Sequence, residues 1–189
     1  MKIEYQIQGS AELLAKLKAL GGDVDKAVES GLMQGAKAVQ KVAKQLCPVD
    51  TGQLRNSIAV TTSDNFEYEY ARRMNAEELL QEKAKGSRKR TKKVKGHLTG
   101  GNAKTAVIGT STEYAACVEF GTGSKGDPAV SHTSKEKWVY RDDNGKFHTS
   151  RGQKPQPFLT PALRLSENTV RKRFETAIKK AIRERSTGK

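Results

Sequence analysis

Several stretches of this chain carry residue types that could do chemistry. Gly121-Thr122-Gly123-Ser124-Lys125-Gly126 matches the G-x-G-x-x-G string of dinucleotide sites. Those glycines bring backbone against a pyrophosphate at a helix N-terminus, so the string must open a helix. Here it runs into Asp127-Pro128, which resists one, and it reads as a loop. It also lacks the glycine-lysine-hydroxyl ending of a P-loop. Asp142-Asp143-Asn144-Gly145 has the carboxylates of a calcium loop without the required alternation or late glutamate, and reads as a turn. His97, His132 and His148 are isolated, and no two share the spacing of helical metal ligands. No Asp-x-Lys or Glu-x-Lys tripeptide occurs, which argues against a metal-dependent nuclease. Asp50 and Glu119 are the acidic residues of the most distinctive segments, but no base, nucleophile and orienting group assemble around them. Asp50 is expected to accept hydrogen bonds from the Thr51 or Gly52 amide, and Glu119 to pair with Arg55. No catalytic residue, metal site or cofactor is expected.

The elements that must carry these residues follow from patterning. Ile3, Tyr5 and Ile7 alternate within a short strand over 2–8. Ser10 caps a helix over 11–20, which Gly21-Gly22 stops. Asp23 caps a longer helix to about Leu46, with Val24, Val28, Leu32, Val39, Val42 and Leu46 on one stripe. Gly31 and Gly35 lie near that stripe and admit close approach, either for ordinary core packing or for a helix of another subunit. Pro48 ends the helix, and Asp50-Thr51-Gly52 turns the chain. A strand over 54–62, a turn at Ser63-Asp64-Asn65 and a returning strand over 66–70 read as a hairpin, with a further strand over 105–110.

Two stretches read as insertions into a single domain over 1–189. Residues 72–101 begin with a helical piece over 75–85. They continue as a mobile basic loop containing Arg88, Lys89, Arg90, Lys92, Lys93 and Lys95, because that run shows no apolar periodicity. Residues 123–152 hold alternating runs around Asn144-Gly145 and predict a β-hairpin arm. Thr160 is expected to cap a final helix, with Pro161 at its first position. Leu163, Val170, Phe174, Ile178 and Ile182 form the apolar face of that helix. The fold class is therefore α+β: a small antiparallel sheet packed against a long helix and a C-terminal helix, with the basic loop and the hairpin arm inserted.

The chain has 189 residues, 35% hydrophobic and 30% charged, with a formal net charge of +14. Such a balance favours nucleic acid or an acidic protein surface as partner. Cys47 and Cys117 are far apart and outside any Cys-x-x-Cys pair, so both are expected to be reduced, small buried hydrophobes. No apolar run approaches the roughly 20 residues that span a bilayer, and no membrane partner is expected. The N-terminus lacks the apolar core of a signal peptide.

Three segments in order carry a resemblance. The first is Pro48-Val49-Asp50-Thr51-Gly52 with Leu54, Arg55, Ser57 and Ile58. The second is Tyr114-Ala115 followed by Val118-Glu119-Phe120-Gly121-Thr122. The third is Pro157-Phe158-Leu159 with Pro161-Ala162-Leu163. Together they resemble the neck and tail-completion (head–tail joining) proteins of lambda-like long-tailed bacteriophages, over about 1–71, 103–122 and 153–185. The basic loop and the arm fall outside the resemblance. It implies a structural virion protein at the head–tail junction, made in the host cytoplasm and assembling as a homo-oligomeric ring matched to a sixfold tail. The implied partners are further copies of itself and tail-tube, tail-terminator or head-closure proteins. The basic run, by its charge, is expected to face DNA phosphates in the lumen or an acidic partner ring through Arg88, Lys89, Arg90, Lys92, Lys93 and Lys95. The competing reading is a sequence-independent nucleic-acid-binding protein, which the charge favours. The scarcity of aromatics among the basic runs disfavours single-strand binding. An enzyme of unassigned type is the third class.

Overall fold

The computed structural model describes residues 2–3, 11–19, 24–102, 104–130, 136–141 and 145–187. The expected caps Ser10 and Asp23, the stop at Gly21-Gly22, His132 and the turn residues Asp142 to Asn144 lie outside them, as does most of the first expected strand.

The chain opens with β1 (Lys2–Ile3), α1 (Ala11–Ala19) and α2 (Val24–Leu46). There follow α3 (Gln53–Ser57), β2 (Ala59–Thr61) and β3 (Phe66–Arg73). Next come α4 (Ala76–Ala84), β4 (Thr91–Leu98), β5 (Val107–Gly109) and α5 (Ala115–Phe120). The arm strands β6 (Trp138–Arg141) and β7 (Phe147–Ser150) and the closing helix α6 (Leu159–Ser186) complete it. The class is α+β, with small antiparallel sheets against two long helices. The central sheet has the order β1-β5-β2, with Val60 opposite Ile108. β3 and β4 form a separate two-stranded ribbon, and β6 and β7 another.

The long helices pack on each other. Gly31 of α2 meets the Phe174 ring of α6, where an added methyl would come within 2.8 Å of Cδ2. This bears out ordinary core packing at Gly31. Ala27, Leu32, Ala36, Phe174 and Ile178 bury one end of this contact together with Ala106. The other end holds Val39, Ala43, Cys47 and Val170, and it receives the three distinctive segments described below.

Three expectations are corrected. Residues 54–62 are not one strand. After Gly52, at φ +80°, the chain makes the single turn α3, in which the Asn56 amide donates to the Gly52 carbonyl at 2.9 Å. Only Ala59–Thr61 is extended. The 54–62 and 66–70 segments do not form a hairpin with each other: β2 pairs with β5, and β3 with β4. The chain is led off the central sheet by a turn in which Thr61 Oγ1 accepts from the Ser63 amide and Asp64 Oδ1 from the Asn65 and Gly100 amides.

The basic run is no loop over most of its length. Lys92, Lys93 and Lys95 lie on β4, fully registered against β3, with Arg72 opposite Lys92 and Tyr68 opposite Gly96. Val94, Gly96 and Leu98 face the body, while Lys93, Lys95 and His97 are exposed. At the far end of the ribbon Asn75 caps α4 in a capping box with Glu78, and Arg72 grips the Glu78 carboxylate with two bonds of 2.9 and 2.6 Å. Arg88, Lys89 and Arg90 form the exposed link from α4 into β4.

Candidate functional site

The three distinctive segments converge on one buried joint. Leu54 and Ile58 from the first, Ala115 from the second, and Phe158, Leu159 and Ala162 from the third share a core cluster with the C-terminal half of α2. Val118 and Leu163 pack on its edge. Apolar burial of this kind contributes about 25 cal/mol per Å² removed from water.

Two polar devices sit inside the joint. The first is built on Ser57, which is fully buried. Its hydroxyl donates to the Leu54 carbonyl at 2.8 Å. A hydroxyl has one proton, so Ser57 Oγ accepts from the Thr110 and Thr112 hydroxyls that also touch it. The Tyr68 hydroxyl donates to the Ser57 carbonyl at 2.7 Å and accepts the Ser111 amide at 3.2 Å. Ribbon, α3 and the strand end after β5 are thus fastened at one serine.

The second device is Glu119, which is 1% exposed. One carboxylate oxygen accepts the Phe158 and Leu159 amides at 2.6 and 3.0 Å, and the other accepts the Thr160 amide at 2.8 Å. A helix begins with four amides that lack an intrahelical acceptor. In α6 three of these go to Glu119, and the fourth position is Pro161, which has no N–H. The positive end of the helix dipole adds to the attraction for the carboxylate. The cap is therefore Glu119 and not Thr160, and Pro161 stands third in the helix rather than first. Arg55 makes no ion pair with Glu119 and is exposed. Asp50 is exposed too, and Thr51 Oγ1, not Asp50, accepts a turn amide, that of Gln53 at 3.4 Å.

The second segment also joins the stretch leading into the third through their backbones. The Thr122 amide donates to the Gln153 carbonyl at 3.0 Å and the Gln156 amide to that of Val118 at 2.8 Å, while the Asp127 amide folds the following loop back onto the Phe120 carbonyl at 2.7 Å. Gly121 at φ +75° and Gly152 at φ +92° bring the two backbones together. A methyl on Gly121 would lie 2.6 Å from the Gln153 carbonyl oxygen, and one on Gly152 would strike that of Thr122. Pro157 is exposed beside this seam, and Pro48 is half-buried at the end of α2.

Burial pushes the Cys47 thiol up to about 11, with Arg55 pulling it down and Glu119 pushing it further up. Burial likewise raises the Tyr114 phenol. Cys117 is exposed, contrary to the expectation that both cysteines are buried. His97 is exposed on β4, and His148 stacks on Tyr140 in the arm. Among the described residues no three His, Cys, Asp or Glu side chains are grouped to hold a metal ion.

Residues 11–121 match the family model described as "Bacteriophage HK97-gp10, putative tail-component". That is more than half of the chain. The chain belongs to this family. It is thereby placed among the tail-related structural components of bacteriophages, and with the virion. The match runs through 72–101, which the resemblance had left out, and stops before the arm and the third segment. No curated protein and no solved structure matches the chain. No described helix is long and apolar enough to cross a membrane.

Site residues that the sequence reading missed are Thr110, Thr112, Tyr68 and Gly152. Hydroxyls spaced two apart after a strand are the only signal for the threonines, and that signal is common to many strand ends.

Proposed function

We propose that this family member works at the head–tail junction, completing the tail or joining it to the head as a non-enzymatic ring component. Six copies around a sixfold tail is the expected ring, seated against tail-tube, tail-terminator or head-closure proteins. The observation that carries this reading is the joint. Its one buried carboxylate is occupied by three backbone amides and its buried serine by neighbouring hydroxyls, so the most distinctive residues serve rigidity. What they hold rigid is the base from which the β6–β7 arm and the β3–β4 ribbon project. Lys93, exposed on the ribbon, and Arg88, Lys89 and Arg90 at its end suit DNA phosphates in the lumen or an acidic neighbouring ring. Contact with DNA through them would be independent of sequence and would weaken steeply with salt.

A phage deleted for this gene tests the proposal by electron microscopy of its lysate. Unjoined heads and unfinished tails, rescued by the gene in trans, are expected. Normal joined particles without the protein would overturn it. Retention on DNA at low salt, with joining intact in the deletion, would favour a free nucleic-acid-binding protein instead.

A further inference from the structure

We propose that the β6–β7 arm of one copy docks into the cleft of the next, between the β3–β4 ribbon and residues 111–114. This deepens the ring reading and rests on it. The arm is a lone two-stranded ribbon, paired with no other described strand. Such a hairpin is marginal in water unless its face packs on something. Yet one face, shared with Arg141, turns Val139 and Phe147 outward at 61% and 71% exposure, while Tyr140 lies on the opposite face with His148. It is also preformed. Tyr140 stacks on His148 at 5.5 Å, Arg141 lies 5.9 Å over the Phe147 ring, and the arm's root is clamped by the Thr122–Gln153 bonds.

The cleft is open, about 450 Å³, and bordered by Tyr70, Tyr114, Glu67 and Glu113. Glu67 and Glu113 have no ion-pair partner among the described residues, although Lys95 and His97 share the cleft. The arm brings Lys137 and Arg141, neither of which is paired with a carboxylate among the described residues. The arm face that carries Lys137, Val139, Arg141 and Phe147 therefore meets Glu67, Glu113 and the exposed Tyr114 ring, Tyr70 itself being buried. Because donor and acceptor are different surfaces of one chain, the contact is heterologous, and repeating it closes a ring if the rotation closes.

Charge exchange tests it, using the full chain supplied to a phage lacking the gene. The arm variant carries Lys137→Glu with Arg141→Glu, and the cleft variant Glu67→Lys with Glu113→Lys. Each should lower incorporation into purified tails at least about tenfold, since like charges across an interface repel. The two variants supplied together should restore it, arm-altered copies docking on cleft-altered ones. As a second measurement, Phe147→Cys with Glu113→Cys in a Cys117→Ala background should give a disulfide-linked ladder in assembled tails. Wild-type incorporation of either charge variant, failure of the pair to rescue with the fold intact, or absence of the ladder would overturn the contact and leave the ring reading standing. Tails devoid of the wild-type protein would overturn both.

Discussion

Glu119 holds the three amides that open α6, so Glu119→Ala should leave them buried without an acceptor. The expected loss is about 3 kcal/mol or more, given about 1.5–3 kcal/mol for a hydrogen bond to a charged group. Glu119→Gln should not restore stability, because it turns an NH2 toward donors. Urea unfolding measures both, and a loss under about 1 kcal/mol would remove Glu119 from this role. Cys47 offers a second check. Its thiol is buried and held at about 11, whereas Cys117 is exposed. Alkylation at neutral pH should label Cys117 alone in the folded chain and both thiols in denaturant. Rapid labelling of native Cys47 would mean that the joint opens.

At the scale of elements, the ribbon's outer end depends on Glu78. The hydrogen bonds from Arg72, then the Asn75 amide, hold its carboxyl down to about 2 from an ordinary 4.5. The folded value is depressed, so this contribution is fully present above about 4.5 and fades as pH falls through about 2. Protection of α4 amides in wild-type protein should therefore weaken progressively on acidification below about 4.5 and be lost only near 2. Glu78→Gln should show fast exchange already at neutral pH and no further acid step there. A wild-type loss centred at the ordinary carboxylate value would contradict the pairing.

The same ribbon explains what the sequence hides. The helices over 11–19, 24–46, 76–84 and 159–186 and the arm strands were legible, because apolar periodicity, Pro48 and Asn-Gly all act locally. β4 was not. Its inward positions are the half-buried Val94 and the buried Gly96 and Leu98, and the middle one carries no side chain, because Tyr68's ring lies where a Cβ would stand. The alternation therefore reads as an unbroken basic run. The strand over 54–62 failed for another reason: the Ser57 hydroxyl's bond to Leu54 belongs to a helical turn, and that hydroxyl's two other partners, Thr110 and Thr112, lie more than fifty residues away. Glu119's role was equally non-local, since its partners are about forty residues downstream.

For the whole molecule, two long helices and the central sheet form one packed body, closed where the three segments meet. Membership of the tail-component family and a joint built for rigidity support the same account: a part made to be incorporated, whose projecting ribbon and arm meet neighbours. Quantitative mass spectrometry of purified infectious particles tests this most directly. The account predicts this chain in every preparation, at a fixed small whole-number ratio to the tail-tube protein. Complete, infectious particles that lack it would contradict the account.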